Sequence, residues 1–263
     1  MAGITISKDS STLNQHLAAQ VAQELGYCCL ADEVISQAAS TYQVSEGKLK
    51  QALHTPPRFL DRFTYGRDRL LTYIKATLLS HMLQDNVVYC GLGGHFYLQG
   101  VPQVLKVGID SSLDQGHLMP PRPGQEQARP AGDDEEHPSW SRRILFQDGH
   151  DASLYDLVLN PGKVGQERAV EMICQASKLA DQQNTPESQR QLRDLALAAK
   201  VRAKLMLKHP NVRVSVQEGV VTLDTRANGT SAPHLLRTIV GLAKEVKGVA
   251  EVQVKMHLGA LYH

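Results

Sequence analysis

The sequence has no long hydrophobic run, no excess of one charge, no cysteine framework and no intact phosphate-loop signature. No stretch reaches about 18 consecutive apolar residues, so hydropathy indicates no membrane-spanning helix. The first twenty residues include Lys8, Asp9, Gln15 and His16 where a secretory signal would carry its apolar region. Lysine and arginine number 28 against 27 acidic residues, a formal charge of +1. That gives no general electrostatic footing for nucleic acid or an anionic membrane, and no specific nucleic-acid partner is expected. The four cysteines, Cys28, Cys29, Cys90 and Cys174, have neither zinc-site spacing nor the density of a disulfide scaffold. They are expected to be mostly buried small apolar residues in a reducing compartment, which points to the cytoplasm. His117, His137 and His150 have no consistent metal-ligand spacing, so no metal site is expected.

What is present is an ordinary globular composition, 42% hydrophobic and 21% charged, over 263 residues. The length suits one large α/β domain plus a smaller one, with a single domain as the alternative. ITI at 4–6 reads as a central strand. Leu13, Leu17, Val21 and Leu25 then recur every four residues beside Ala18 and Ala22, which is one apolar helix face. Ser11 or Thr12 can cap this helix and Gly26 can end it. Two shorter helices follow at 32–39 and 45–53, and Pro56 and Pro57 break the pattern.

A long helical region at 59–84, with Gly66 as a possible interruption, precedes a strand at 87–90 that runs into GLGG, a turn that lacks the full dinucleotide fingerprint and opens no evident helix. QVLKVGI at 103–109 is the next strand. This order predicts a parallel-sheet α/β domain. Residues 110–138 lose all periodicity and read as an extended loop rich in proline, glycine and charge. SLYDLVLN at 153–160 resembles a strand entering a turn, 166–179 an amphipathic helix, and 181–189 a linker.

The tail has a different rhythm. A helix at 192–207, two alternating strands joined near Glu218–Gly219, a helix at 235–246 and a last strand after Gly248 make αββαβ in about 70 residues. An antiparallel or mixed three-stranded sheet with helices on one face is expected. The boundaries are 1–182 for the first domain, 183–189 for the linker and 190–263 for the second.

Residues 3–180 resemble the cytidylate-kinase-like family of the P-loop nucleoside monophosphate kinase superfamily. The resemblance rests on ITIS at 4–7, HLAAQVAQELGY at 16–27, ADEVISQAA at 31–39 and FLDRFTYGRDRLL at 59–71. It continues through NVVYCGLGGHFYLQGVPQVLKV at 86–107 and DASLYDLVLN with AVEMICQAS. Residues 190–257 resemble a BON domain through VRAKLMLKHP, VSVQEGVVTLDTRA and KEVKGVAEVQVKM. The first resemblance implies a P-loop-kinase-like parallel sheet flanked by helices, with the small αββαβ domain appended. The second implies a module common in bacterial envelope or osmotic-stress proteins and associated there with membrane or ligand attachment.

An active kinase of this family carries GxxxxGK(S/T) between the first strand and helix. Counting back from LGY without a gap puts Lys8 at the first glycine, Leu13 at the second, Asn14 at the lysine and Gln15 at the hydroxyl residue. The glycines would let backbone N–H groups converge on a phosphate, the lysine would meet the β- and γ-phosphates, and the hydroxyl would help hold Mg²⁺. All four positions differ. Leu92 in GLGG and Gly108 in KVGI likewise stand where related sequences tend to have arginine.

Candidate cofactor-binding residues are therefore Lys8, Ser10, Ser11, Thr12, Asn14 and Gln15, and the three hydroxyl residues also serve as plain helix caps. Candidate substrate-binding residues are Arg58, Arg62, Arg67, His95, Arg142 and Arg143. Arg69 completes the first cluster, and a solvated charged helix face explains these arginines equally well. His95 reads as an anion donor or a structural histidine, and Asp156 as a turn or ligand-orienting group. No catalytic residue is assigned, and no cofactor is required unless the chain is active, in which case ATP and Mg²⁺ are.

Three functions are compatible with these residues. The leading one is a kinase-fold protein without ordinary phosphoryl transfer that binds a nucleotide or anionic metabolite, with the BON-like domain meeting a protein or membrane surface. The others are a nucleoside monophosphate (CMP-like) kinase with a rearranged phosphate site, and an oligomeric adaptor without a ligand.

Overall fold

The computed structural model describes residues 3–7, 12–54, 65–109, 152–227 and 232–258. The chain divides into two compact units, each assembled from separated segments. One comprises residues 1–32, 54–56 and 85–184; the other comprises 33–53, 57–84 and 185–263. The boundary expected at 183–189 follows chain order, whereas packing groups the segments differently.

In the first unit, β1 (Gly3–Ser7), β2 (Cys28–Leu30), β3 (Val87–Gly91), β4 (Val104–Ile109) and β5 (Leu157–Leu159) form a parallel sheet in the order β2-β3-β1-β4-β5. β3 and β4 are buried along their whole length, as inner strands covered on both faces must be. Ile4 pairs with Val88 on one side and Leu105 on the other. Strand alternation then sends Ile4, Ile6, Val88, Cys90, Leu105 and Val107 to one face. That face meets Leu17, Ala18 and Val21 of α1 (Thr12–Leu25) and Ala169, Val170 and Ile173 of α7 (Gln166–Gln182), which follows the one-turn α6 (Pro161–Val164). Each isoleucine, leucine or valine among them contributes about 1.5–3 kcal/mol when removed from water, before entropy is charged.

The helices expected at 32–39 and 45–53 are α2 (Glu33–Tyr42) and α3 (Glu46–His54). The long helical region resolves into α4 (Gly66–Met82), entered from Tyr65 at φ 49. These three belong to the second unit, where α4 packs along α8 (Pro186–Leu205) and against α2. Tyr42 and Tyr73 stack there with centroids 4.1 Å apart and planes within 4°.

α8 begins six residues earlier than its apolar rhythm suggests. Thr185 Oγ1 accepts the Ser188 N–H at 3.2 Å, Ser188 Oγ accepts the Thr185 N–H at 3.0 Å, and Pro186 opens the helix. A segment read as linker is thus a helix start, and only 183–185 separate α7 from α8.

The remaining elements of the second unit are β6 (Arg213–Gln217), β7 (Val220–Ala227), α9 (Ala232–Lys244) and β8 (Glu251–Leu258). β6 and β7 are antiparallel, and β7 and β8 are parallel, so the sheet is mixed. Glu218 (φ 51) and Gly219 (φ 77) form the two-residue turn, which needs positive φ at both positions. Val201, Leu205, Val212, Val221, Leu223, Ile239 and Ala243 make its core.

Three expectations need correction. The strand expected at 153–160 is limited to Leu157–Leu159, because 152–154 turn as a 3₁₀ segment first. The cysteines are not mostly buried: only Cys90 is, Cys29 and Cys174 are half-buried, and Cys28 is exposed at the start of edge strand β2. GLGG does open a helix, the four-residue α5 (Gly94–Tyr97) with Gly93 as its cap. The expected loop at 110–138 lies outside the described residues. Among the described residues, no helix is long and apolar enough to cross a membrane.

Candidate functional site

In an open parallel sheet the ligand crevice forms at the carboxyl ends of the strands, where the strand order reverses. Here that point is the end of β1, flanked by β3 and β4. Ser7 closes β1 and its Oγ accepts the Ile109 N–H at 3.4 Å, joining the ends of β1 and β4. Lys8, Ser10 and Ser11 lie outside the described residues, and Thr12 is described only as the first residue of α1.

Asn14 lies on the inward face of α1, one turn before Leu17, and is fully buried. Its Nδ2 and Oδ1 have no hydrogen-bond partner, while its backbone oxygen faces Cys90 Sγ at 3.6 Å. Gln15 points to solvent. The position expected for a phosphate-binding ammonium thus holds a neutral amide.

The other sheet face carries Thr5, Tyr89, Lys106 and Gly108, and α5 packs against β1, β3 and β4. Its turn comes so close that a Cβ on Gly91 would strike the Tyr89 hydroxyl, and one on Gly94 would strike Thr5 Oγ1. Glycine is required there for close approach. Tyr89 Oη donates to the Leu92 carbonyl at 3.3 Å, so the turn is held down at the position expected for arginine. Thr5 Oγ1 is buried without a partner.

His95 is 4% exposed and lies between Phe96 and Tyr155, at centroid distances of 4.0 and 4.6 Å. Its Nε2 is 3.3 Å from Tyr155 Oη, and Nδ1 has no partner. Burial pulls its pKa down to about 4, so the ring is neutral at pH 7 and brings no positive charge to an anion.

The Tyr155 ring also covers Gly108, where a Cβ would come within 3.1 Å of ring carbons. An arginine at this position would have to displace the ring. Lys106 is buried and its Nζ donates to Asp156 Oδ2 at 3.0 Å and to the Val104 carbonyl at 2.9 Å. Asp156 therefore clasps β4 to the segment before β5. Thr5, Lys106 and Tyr155 escaped the sequence reading. The available signal was a lysine inside the apolar run QVLKVGI, since a buried charge needs a partner.

In the second unit, Arg67 Nε donates to the Ala52 carbonyl at 3.0 Å, which ties α4 to α3. Arg69 lies near the Tyr73 hydroxyl and lowers its pKa against the larger upward push of burial. Arg58, Arg62, Arg142 and Arg143 lie outside the described residues, as do His117, His137 and His150. No group of three metal-ligating side chains occurs among the described residues.

The sheet order and the helix following β1 define a P-loop-kinase-like core. The chain belongs to the cytidylate kinase-like family, which it matches over residues 3–163. No curated protein matches it. Similar solved structures include an uncharacterized protein from Eubacterium ventriosum, 13% identical over 68% of this chain and 98% of that one, with a TM-score of 0.39. A shikimate kinase from Bacteroides thetaiotaomicron is 13% identical over 67% of this chain and 98% of its own, with a TM-score of 0.39. Another, from Aquifex aeolicus, is 17% identical over 69% of this chain and 98% of its own, with a TM-score of 0.37.

Kinases of this class use a nucleoside triphosphate with Mg²⁺. Asn14 and Gln15 supply neither an ammonium for the phosphates nor a short hydroxyl for the ion, so these two positions do not fit that pair.

Proposed function

We propose that this cytidylate kinase-like protein does not perform ordinary ATP-dependent phosphoryl transfer. Its kinase-like part acts as a binding or structural module for a nucleotide or anionic metabolite. Its C-terminal αββαβ part, similar to a BON domain, associates with a partner or surface. Asn14 carries this reading: it is a buried, neutral amide, and the family resemblance assigns its position to the lysine that phosphoryl transfer sets against the phosphates.

Titration calorimetry with ATP, CMP and dCMP in the presence of Mg²⁺, paired with a coupled phosphotransfer assay, tests the reading. The expected outcome is no turnover, and binding of one nucleotide without turnover would identify the ligand. Micromolar binding of Mg-ATP together with phosphorylation of CMP at an ordinary enzymatic rate, about 1 to 10³ per second, would overturn it.

A further inference from the structure

In the second unit a groove of about 470 Å³ runs between α8 and β6. Leu195 and Ala198 from the helix and Val214 and Val216 from the strand supply its apolar surface. Among the described residues β6 is an edge strand, paired with β7 alone. The tight turn sets the phase of that ladder. Gln217 and Val220 flank the two-residue loop and form a hydrogen-bonded pair, so Ser215 with Thr222 and Arg213 with Asp224 do the same. Val214 and Val216 fall between them, and their N–H and C=O groups point away from β7 at the open edge.

The rim of the groove is acidic. Arg190 is already held by Glu187 at 2.5 Å and Glu218 at 3.1 Å. Asp194 accepts the N–H groups of Glu218 at 2.6 Å and Gly219 at 3.0 Å, which locks the turn to α8. Three carboxylates thus face one guanidinium, leaving two negative charges in excess. A second copy of the chain would bring the same carboxylates against these, so the charge disfavours self-pairing.

We propose that the groove takes an extended basic peptide that adds to β6 as a further strand. Its backbone pairs with Val214 and Val216, its alternate apolar side chains lie against Leu195 and Ala198, and its lysines or arginines face Glu187 and Glu218. The proposal gives chemistry to the association role of the C-terminal module, on which it rests. It is independent of nucleotide binding.

The test uses the full chain and fluorescence anisotropy with a short labelled peptide of alternating lysine and valine. Two control peptides carry glutamate in place of lysine, or a proline in the middle. The basic peptide should bind at least about tenfold more tightly than either control and weaken as salt rises through about 0.15 M. It should slow hydrogen exchange at the Val214 and Val216 amides, and the double substitution Glu187→Lys with Glu218→Lys should reduce its affinity at least about tenfold. Equal binding of the glutamate peptide, or unchanged exchange at Val214 and Val216, overturns the proposal. So does a dimer in sedimentation that Val216→Pro dissolves, since β6 would then be occupied by a second copy. None of these readouts involves nucleotide or phosphotransfer, so failure here is distinct from failure of the kinase-like module to behave as proposed.

Discussion

Asp156 Oδ2 accepts two hydrogen bonds from one residue, the Lys106 backbone N–H at 2.8 Å and the Lys106 ammonium at 3.0 Å. The Asp156 N–H returns a bond to the Lys106 carbonyl at 2.8 Å. A lysine inside a buried strand is therefore neutralised by an aspartate that remains 46% exposed. Removing the aspartate strands the ammonium, though the nearby solvent screens part of the loss. Asp156→Ala should cost about 1–2 kcal/mol in urea unfolding, and Asp156→Asn less, because the amide oxygen still accepts. A loss below about 0.5 kcal/mol for Asp156→Ala would show that the clasp contributes little.

Asn14 and Thr5 give a prediction of opposite sign. Both are fully buried, and the side-chain polar atoms of each lack partners. An unpaired buried polar group costs about 1–3 kcal/mol, and replacing it with an apolar group of similar shape recovers part of that. Asn14→Leu and Thr5→Val should each raise stability by about 1 kcal/mol, seen as a higher urea midpoint with unchanged slope. Destabilisation by Asn14→Leu, together with loss of nucleotide affinity, would instead give the amide a ligand role.

His95 sets a pH dependence. Its pKa is about 4 when folded against 6.5 for the free side chain, because burial disfavours the charged ring. Between those values the unfolded chain takes up a proton that the folded chain refuses. Stability from this group is complete above about pH 6.5 and is lost as pH falls toward 4, by up to about 1.4 kcal/mol per pH unit. Burial also lowers the pKa of His81 and of His209, which act in the same direction. Urea midpoints at several pH values should fall on acidification more steeply for the wild type than for His95→Gln. Parallel curves would remove His95 as a cause.

Much of the fold was readable because its signals are local and periodic. The four-residue spacing from Leu17 to Val21 marked α1, and the turn residues Glu218 and Gly219 marked the hairpin. The start of α8 was not readable from apolar rhythm, since Thr185 and Ser188 act through a reciprocal cap. The candidate phosphate turn was legible in part. The family resemblance, counted along its motif, assigned Asn14 to the lysine position, while its burial and lack of partners emerged from packing. The pairing of Lys106 with Asp156 spans 50 residues, and nothing in either local stretch announces the other.

The sequence by itself determined the order of elements and the parallel sheet of the first unit, because hydrophobic period and residue type are properties of the chain. Tertiary structure decided the rest. It set Tyr155 over Gly108, where an arginine side chain would have to displace the ring, and made His95 a neutral core residue. It also grouped α2, α3 and α4 with the C-terminal segments and opened the edge of β6 beside α8. These outcomes depend on which distant segments meet and exclude water, and close packing is settled only when the whole chain has folded.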